Sequence, residues 1–559
     1  MNVKRMRWLV WLFAVALITG GALAAPGPNT GTEKNKEKVD VILTFDRAVG
    51  PDDLDKSLEA KVNRRFDNLP MIAINIPAHR LEQAARGNGV RFMALDAPIE
   101  AASSAGRSTA NTPALGSYYD NVYNGAGLSV AVIDSGVAPH PDLWIRTQRD
   151  FVDNVSHFPN DPYGHGTHVA GIIAGVGSAS GFVHWGQAWN AGIVSLRVLD
   201  EGGAGQVSGL LAAIDWLLTH GDTYSVKVVN LSVGKSIQEK AANDPLVLAV
   251  ELLWDAGYTV VCSSGNFGTS GYGTITSPGN SPKVITVGSW TDKGTAGMRD
   301  DFLSTFSSKG PTLFDYFVKP DLVAPGNRVV STMGASSAMK TQMSDRVADC
   351  GLAACNADYL ELSGTSMAAP MVAGAAIRMI GREPTLNPAS VKARLMSSAR
   401  SLPGEALAVG AGLLDVRAAL DATGIATVAP SPRIGMIESN SKVVIENVAS
   451  TWGSPWTSAV LWDDAVMWSD AVLWDDAVMW SDAVMWSDAV MWSDAVMWSD
   501  AVLWSDAVMW SDAVLWSDAV LWSDVVPSSN KGVLSDSADA MSCSDDAGSS
   551  APAAPSADR

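Results

Sequence analysis

Three short segments, far apart in the chain, carry the residue types of an acid, a base and a nucleophile. Asp134 ends the apolar run "AVID", His165 opens the sequence "HGTHVAG", and Ser366 lies in "SGTSMAAP". A serine hydroxyl becomes a good nucleophile when an imidazole accepts its proton, and a carboxylate can fix the tautomer of that imidazole. Singly, Asp134 also fits a strand-end turn and Ser366 a helix N-cap. Together the three supply one acid, one base and one nucleophile, in the order Asp, His, Ser.

The second histidine of this segment, His168, raises the alternative of a metal site. The zinc motif His-Glu-x-x-His has its histidines four positions apart, with an intervening Glu, and it needs a further ligand, whereas His165 and His168 are three positions apart. Gly166 and Thr167 stand between the two histidines instead. We therefore predict that His165 is the base, that His168 is a packed structural residue and that the site holds no metal. A metallohydrolase that uses both histidines is the alternative.

The segments "AVIDSGV", "GHGTHVAG" and "SGTSMAAPMVAG" resemble the three signature segments of the subtilisin-like serine proteases, in the order of that family. The resemblance runs from about residue 116 to residue 421. It implies a catalytic triad of Asp134, His165 and Ser366, with no cofactor required for catalysis. The segment "VVCSSGNFG" resembles the oxyanion-hole segment of the family. This implies that the Asn266 amide and the Ser366 N–H stabilise the oxyanion.

The same resemblance assigns substrate-binding residues. The segments "GGAGQ" and "NLSVG" match the edges that flank an extended peptide, and "GTITSPGNSP" matches the floor of the primary specificity pocket. Thr276 stands where some members carry glycine, which narrows that pocket. The implied substrate-binding residues are Gly202, Gly203, Ser232, Val233, Gly234, Ser264, Gly265 and Thr276.

Two further features concern calcium and cysteine. Asp142 in "HPDL" matches a calcium-ligand position of the family, but the calcium-binding loop that commonly follows the histidine helix is not recognisable in "GVGSASGFVHWGQAWN". A structural calcium ion therefore stays an open alternative. Cys350 and Cys355 enclose the loop "GLAA" and form the candidate disulfide. Cys262 lies in an apolar run and is expected to be a buried thiol.

Residues 116–425, the predicted catalytic domain, alternate strand and helix patterns. The apolar runs "LSVAVID", "GIVSLRVL", "VKVVNLSV" and "YTVVCSS" predict strands that are buried on both faces. The segments "HGTHVAGIIAGV", "GLLAAIDWLLTHG" and "DPLVLAVELLWDAG" predict helices between them. This order predicts an α/β fold with a parallel sheet, helices on both faces and reactive residues at the carboxyl ends of the strands.

The N-terminal part predicts a leader and a small α+β domain. Residues 1–24 have the basic start, apolar run and small-residue end of a secretory signal peptide. Residues 37–100 predict a β-α-β-α-β order with two helices on one side of a sheet, from "VDVILTF", "DDLDKSLEAKVNRRF", "MIAINIP", "AHRLEQAARG" and "VRFMALDAPIE". This domain resembles the inhibitory propeptide of the family. The resemblance implies removal by self-cleavage within a linker at residues 101–115.

The C-terminal part predicts a linker at residues 426–457, a repeat tract at residues 458–524 and a disordered tail at residues 525–559. The tract repeats six residues of the type "SDAVMW", with a Trp at every sixth position from Trp456 to Trp522. A period of six is commensurate with the two-residue period of a strand and not with a helix, so we predict β structure. A disordered low-complexity segment is the alternative.

The whole sequence predicts a secreted serine endopeptidase, extracellular or associated with the periplasm or cell surface, that matures by autocatalytic propeptide removal. Its net charge of −20 argues against a nucleic-acid partner. The expected partners are protein or peptide substrates, its own propeptide as inhibitor, and an envelope or self-association partner for the repeat tract. The alternative is a catalytically inert protease-fold protein that acts in surface binding or assembly through its Trp-rich repeat.

Overall fold

The computed structural model describes residues 38–50, 54, 56–101, 123–152, 160–293, 300–348, 358–402, 405–437, 442–445, 448–452 and 466–468. The predicted signal peptide, most of the predicted processing linker, the Cys350–Cys355 pair, nearly all of the repeat tract and the tail lie outside these residues. Cys262 is a buried free thiol, as predicted. Within the residues described, no helix has both the length and the apolar character needed to cross a membrane.

The small N-terminal domain is an antiparallel sheet with a short helix. Its elements are β1 (Lys38–Phe45), β2 (Lys61–Arg65), β3 (Met71–Pro77), α1 (Leu81–Ala85) and β4 (Val90–Leu95). The strand order is β2-β3-β1-β4. Aliphatic side chains of β1 and β3, among them Val41, Leu43, Ile72 and Ile74, form its core.

The helix predicted for "DDLDKSLEAKVNRRF" is wrong. Among the described residues of this segment, Lys56–Leu58 form a 3₁₀ helix and Lys61–Arg65 form β2, which is antiparallel to β3. Along β2, Val62 and Arg64 are half-buried and the other three residues are exposed. This alternation is the two-residue period of a strand, and β2 lies at the edge of the sheet. The predicted β-α-β-α-β order is therefore replaced by β-β-β-α-β.

The last predicted strand of this domain, "VRFMALDAPIE", divides into two. The strand β4 ends at Leu95, and a separate strand, β5 (Pro98–Ala101), leaves the sheet of the small domain. It pairs instead with two strands of a second domain, which follows the small domain in the chain.

The second domain is built on a mainly parallel sheet. The strands of the whole second domain are β6 (Ser129–Asp134), β7 (Ile145–Asp150), β8 (Gly192–Arg197), β9 (Ala204–Gln206), β10 (Val226–Leu231), β11 (Val233–Ser236), β12 (Thr259–Ser263), β13 (Thr276–Ser277), β14 (Ile285–Thr291), β15 (Phe302–Leu303), β16 (Leu322–Pro325), β17 (Val329–Thr332) and β18 (Tyr359–Leu362). The described part of the main sheet has the order β15-β14-β12-β10-β6-β8-β7, with β16 parallel to β14. Every residue of β6, β8, β12 and β14 is buried, as in a parallel sheet covered on both faces.

Helices cover this sheet, and the three predicted from the sequence are confirmed as α2, α3 and α4. The helices are α2 (His165–Ala174), α3 (Val207–His220), α4 (Pro245–Asp255), α5 (Ala338–Gln342), α6 (Thr365–Arg382), α7 (Pro388–Ser397), α8 (Ala406–Val409) and α9 (Val416–Asp421). The helix α6 packs against β10, β12, β14 and α2, and α3 packs against α4. Small residues along "SMAAPMVAGAA" of α6 allow this close approach.

Residues 426–457, for which the sequence predicts a linker, contain β19 (Ile434–Ile437), β20 (Lys442–Ile445) and a fully buried side chain, Trp452. A third strand, β21 (Val466–Trp468), completes an antiparallel sheet of order β19-β20-β21. It lies in the first part of the repeat tract.

Candidate active site

Asp134 and His165 meet where β6 ends and α2 begins. Asp134 is the last residue of β6, and His165 is the first residue of α2. His165 Nδ1 lies 2.7 Å from Asp134 Oδ1, and both side chains are fully buried. A carboxylate at this position favours the imidazole tautomer with its proton on Nδ1, which leaves Nε2 as an acceptor. Within the described residues, Nε2 has no hydrogen-bond partner.

A carboxylate that the sequence analysis missed, Asp161, connects the two elements. Its Oδ1 accepts hydrogen bonds from Ser135 Oγ at 2.8 Å and from Gly164 N at 2.7 Å. Its Oδ2 accepts hydrogen bonds from Thr167 N at 2.8 Å and from Thr167 Oγ1 at 2.6 Å. Ser135 follows Asp134 in the chain. Asp161 therefore links the residue after the candidate acid to the first turn of α2.

Burial raises the pKa of Asp161, and the hydrogen bonds that it accepts oppose this shift. The sequence signal for this residue was slight. Asp161 stands in "NDPYGH", where an Asp before a Pro is equally typical of a turn.

His168 is a packed structural residue, as predicted. Its side chain is fully buried, and Nε2 lies 3.1 Å from Val329 O and 2.9 Å from Leu360 O. Two carbonyl acceptors require the proton on Nε2, so this atom is the donor. Burial lowers the pKa of His168 to about 3. The imidazole is therefore neutral near pH 7, and it bonds α2 to β17 and β18.

Ser366 is the second residue of α6. Its Oγ donates to Ser232 O at 3.1 Å, and Ser232 Oγ donates to Ser366 O at 3.2 Å. Ser232 lies between β10 and β11, so these two bonds fix the start of α6 against the carboxyl end of the sheet. Backbone N–H groups in the first turn of a helix have no intrahelical acceptor, which makes this end suitable for binding an anion.

The Asn266 side chain is oriented by Thr365. Asn266 Oδ1 accepts hydrogen bonds from Thr365 N at 2.9 Å and from Thr365 Oγ1 at 3.0 Å. A backbone N–H can only donate, so the amide oxygen must face α6 and Nδ2 must point the other way. Gly265, at φ +105°, turns the chain after β12 in a conformation that glycine favours. Thr365 was not predicted from the sequence.

The strand β5 of the small domain lies in a groove between β9 and β11 and is antiparallel to both. Glu100 pairs with Ala204 and with Gly234. Ala101 pairs with Val233. These edges are the two segments that the sequence predicted to flank an extended peptide. Pairing on both sides binds the peptide backbone and leaves selectivity to alternate side chains.

Alternate side chains of β5 face the second domain. Ile99 is fully buried, whereas Pro98 and Glu100 are exposed. Ala101 N donates to Gly203 O at 3.2 Å, at the turn that leads into β9. Beside Ala101 a pocket opens. Its lining includes Asn266 and three of the predicted substrate-binding residues, Gly234, Gly265 and Thr276.

The structure brings most of the predicted substrate-binding residues together around this groove. Gly203, Val233 and Gly234 contact β5 through the backbone, and Gly265 and Thr276 line the pocket. Ser232 bonds to Ser366 instead, as described above. The other two lie outside the groove itself. Gly202 is in the exposed turn before β9, and Ser264 is fully buried with its carbonyl accepting the Thr276 N–H at 3.0 Å.

The residues around Asp142 do not fit a calcium ion. Asp142 is fully buried, and its Oδ1 accepts hydrogen bonds from Ser178 Oγ at 2.6 Å and Ala179 N at 3.0 Å. Its Oδ2 accepts a hydrogen bond from the Tyr359 hydroxyl. Calcium needs six to eight oxygen ligands, whereas protons of neighbouring donors surround this carboxylate. In the part of the chain that the structure describes, no three His, Cys, Asp or Glu side chains cluster as a metal site.

Comparisons with known proteins agree with this architecture. A profile of the Subtilase family matches residues 125–412. Serine protease AprX of Bacillus subtilis (strain 168) is 32% identical over 382 residues, which cover 64% of this chain and 82% of that protein. Subtilisin E of the same organism is 29% identical over 429 residues, which cover 75% of this chain and 100% of that protein.

A solved structure gives the same result for the fold. Fervidolysin from Fervidobacterium pennivorans, described as a keratinolytic enzyme related to subtilisin, is similar with a TM-score of 0.56 at 21% identity. The similarity covers 69% of this chain and 61% of that one. The predicted α/β fold, a parallel sheet with helices on both faces, is thereby confirmed as subtilisin-like. Because the family profile spans more than half of the 559 residues, the chain belongs to the subtilase family and is a subtilisin-like serine protease.

Proposed function

We propose that this protease is an endopeptidase that uses Ser366 as the nucleophile, His165 as the general base and Asp134 as the residue that orients the base. The observation that carries the proposal is the buried contact of 2.7 Å between His165 Nδ1 and Asp134 Oδ1. Burial without a compensating partner would be costly for the carboxylate, and an imidazole held in this way has Nε2 ready to accept a proton.

In the proposed reaction, Ser366 Oγ attacks the scissile carbonyl carbon while His165 Nε2 accepts the hydroxyl proton. The carbonyl oxygen becomes an oxyanion, which Asn266 Nδ2 and the Ser366 N–H stabilise. His165 then donates the proton to the leaving amine, and water releases the acyl group by the same steps in reverse. Because Oγ donates to Ser232 O in this structure, attack requires the Ser366 side chain to rotate toward Nε2.

The small domain, residues 37–100 of the prediction, acts in this proposal as the propeptide. Its strand β5 occupies the groove with the antiparallel pairing of a bound peptide, which supports a role as inhibitor. Cleavage after β5 within residues 101–115 would free the groove. The signal-peptide pattern of residues 1–24 supports export, so we expect maturation outside the cytoplasm and protein substrates there.

The test compares the wild-type protein with Ser366→Ala and with Ser397→Ala, a control at an exposed position on α7. Each protein is secreted, its intact mass is measured, and casein hydrolysis is followed. We expect wild type and Ser397→Ala to lose the small domain and digest casein, and Ser366→Ala to stay unprocessed and inactive. Processing and casein hydrolysis by Ser366→Ala would exclude this serine as the nucleophile.

A further inference from the structure

A buried polar cluster outside the candidate active site joins three segments of the chain. It consists of Lys319, Asp321, Lys392 and Ser431, each at most 3% exposed. The first two directly precede β16, Lys392 lies in the middle of α7, and Ser431 belongs to the C-terminal segment for which the sequence predicts a linker. Ser431 also lies beyond residues 125–412, the part of the chain that matches the Subtilase family.

The Asp321 carboxylate is the centre of this cluster. Its Oδ1 accepts a hydrogen bond from Ser431 Oγ at 2.5 Å and lies 3.2 Å from Lys392 Nζ. Its Oδ2 accepts hydrogen bonds from Lys319 Nζ at 2.7 Å and from the Thr286 N–H at 2.8 Å. Burial raises the pKa of Asp321, but the two ammonium groups more than offset this effect and hold that pKa below its ordinary value. The carboxylate is therefore charged, and its hydrogen bond from Ser431 is charge-assisted.

The same cluster binds the backbone between β13 and β14. Lys392 Nζ lies 2.9–3.2 Å from the carbonyl oxygens of residues 282–284. Lys319 Nζ donates to the last of these oxygens at 3.0 Å, and the Ser431 N–H donates to the first at 2.8 Å. Donors from α7, from the segment before β16 and from the C-terminal segment thus hold three consecutive carbonyl groups.

The bound backbone leads directly to the pocket beside Asn266. Thr286, whose N–H donates to Asp321, donates its hydroxyl to Gly279 O at 2.6 Å. Gly279 lies three residues after Thr276, which lines the pocket. The loop at residues 278–284 therefore has the pocket lining at its start, and hydrogen bonds that originate in the cluster fix it at both ends.

We propose that Ser431 is a positioning residue for this pocket, because it holds Asp321 and Lys392 in place and these hold the loop at residues 278–284. The proposal rests on the peptidase function proposed above. Without the Ser431 hydroxyl, Asp321 Oδ1 loses a donor and Lys392 Nζ loses an acceptor that lies 2.9 Å away. Both groups are buried, so they must shift to regain partners, and the carbonyl groups of the loop shift with Lys392.

The expected consequence is weaker peptide binding rather than slower chemistry. Ser366 and Asn266 are fixed by their own hydrogen bonds to Ser232 and Thr365, as described above. A change that removes binding common to the substrate and the transition state raises KM and leaves kcat unchanged.

The experiment uses the mature, secreted enzyme, after its intact mass has shown that residue 431 is retained. The constants kcat and KM are measured on a peptide p-nitroanilide for the wild type, Ser431→Ala and Ser431→Thr. We expect Ser431→Ala to raise KM by about 2–10-fold, the equivalent of one hydrogen bond, with kcat nearly unchanged. Ser431→Thr keeps the hydroxyl and should keep the wild-type KM.

Tyr359→Phe is the control for a general loss of stability, because it removes a hydroxyl donor from a different buried carboxylate, Asp142. Urea unfolding of each variant, in the Ser366→Ala background to avoid self-digestion, measures that loss. A purely structural role for Ser431 predicts that both variants are less stable and that neither changes KM. We expect both to be less stable and Ser431→Ala alone to have the raised KM.

A wild-type KM in Ser431→Ala, an equal rise of KM in Tyr359→Phe, or an active mature enzyme that lacks residue 431 would overturn the inference while the peptidase function stands. If Ser431→Ala does not fold, Ser431→Cys, which keeps a weaker donor, should raise KM by a smaller factor. An unchanged KM in Ser431→Cys would then count against the proposal. Failure of the wild type to hydrolyse the anilide or casein would instead reject the function on which the inference rests.

Discussion

Four hydrogen bonds converge on the buried Asp161 carboxylate, two on each oxygen. All four partners are donors, so an amide in place of the carboxylate would direct an NH₂ group at an N–H or O–H. We predict that Asp161→Asn destabilises the fold by about 1–3 kcal/mol, the usual cost of an unsatisfied buried polar group. The loop before His165 would shift with it, and we expect kcat/KM to fall.

The measurement is the pH profile of kcat/KM on a peptide anilide, together with urea unfolding of each variant. Asp222→Asn is a suitable control because the Asp222 side chain is 88% exposed. A purely structural role for Asp161 would lower stability and leave the apparent pKa of the kcat/KM profile unchanged. We predict that this apparent pKa shifts, since the position of His165 relative to Asp134 depends on Asp161. An Asp161→Asn enzyme with the wild-type profile would contradict this account.

At the scale of residues, functional side chains could be predicted from the sequence where each one stands within a motif of a few consecutive residues. Asp134, His165, Asn266 and Ser366 each stand in a motif of several residues, so their assembly could be expected. Asp161 could not be found in this way because its partners come from separate segments. A turn-forming Asp and a buried Asp with four donors are the same in sequence, and only the folded backbone distinguishes them.

Contacts between elements hold the small domain on the second domain. The Asp215 carboxylate, in the middle of α3, accepts hydrogen bonds from the backbone N–H of Asp67 at 3.0 Å and of Asn68 at 2.6 Å. At the start of the same helix, Asp96 Oδ1 accepts a hydrogen bond from Ser208 N at 2.8 Å. The side chain of Gln206, the N-cap residue of α3, makes no capping hydrogen bond. The small domain therefore supplies the cap from outside.

We predict that Asp215→Asn weakens retention of the small domain after processing. In the variant, one of the two side-chain oxygens becomes an NH₂ group that faces a backbone N–H, so one hydrogen bond between the domains is lost. A loss of about 1.4 kcal/mol in binding free energy corresponds to a tenfold weaker association of the small domain. The lag before casein hydrolysis should shorten, because the groove is vacated sooner. Lag time after secretion is the measurement, and Asp222→Asn, in the 3₁₀ helix Gly221–Tyr224 that follows α3, is the control. An unchanged lag would show that Asp215 does not contribute to inhibition.

A second prediction at the scale of elements concerns the loop between α2 and β8. The Asp142 carboxylate accepts hydrogen bonds from Ser178, Ala179 and Tyr359, which leaves a set of donors around it that does not suit a cation. We expect a chelator such as EDTA to leave the Tm of the Ser366→Ala protein unchanged. Tyr359→Phe should lower its stability by about 1–3 kcal/mol, since a buried charged acceptor loses a donor. A Tm that falls on addition of EDTA and recovers with calcium would contradict this assignment.

The sequence predicted long elements better than short ones. The helices α2, α3 and α4 and the buried strands have apolar patterns of sufficient length to identify their period. The predicted helix was extended through β2 because "LDKSLEAK", which ends at the first residue of β2, contains strong helix formers. Pairing with β3 outweighs that preference, and such pairing depends on residues distant in sequence. The separation of β5 from β4 likewise depends on the groove of the second domain.

For the molecule as a whole, burial of histidines predicts acid lability. Burial lowers the pKa of His140 and His184, and it lowers the pKa of His168 to about 3. Below about pH 6.5, the ordinary histidine pKa, these three histidines therefore bind more protons in the unfolded chain than in the folded chain. The stability that neutral His168 contributes is complete above about pH 6.5 and is lost as the pH falls toward about 3.

Urea unfolding of the Ser366→Ala protein, which avoids self-digestion, tests this prediction between pH 7.5 and about 4.5. We expect the free energy of unfolding to decrease across this range. His168→Gln should be less stable at pH 7.5, because the imidazole that bonds to two carbonyl groups is lost, but its stability should depend less on pH. Parallel pH dependences for the two proteins would show that His168 does not cause the acid lability.

The central claim, that Ser366 is activated by His165 and Asp134, can be tested by labelling. A fluorophosphonate reacts with a serine oxygen only where the serine is activated, and peptide mass mapping then identifies the modified residue. We predict one adduct, on Ser366 of the mature protein, and none in His165→Ala or after denaturation. An adduct on another serine, or a preparation that digests casein without any adduct on Ser366, would contradict the account.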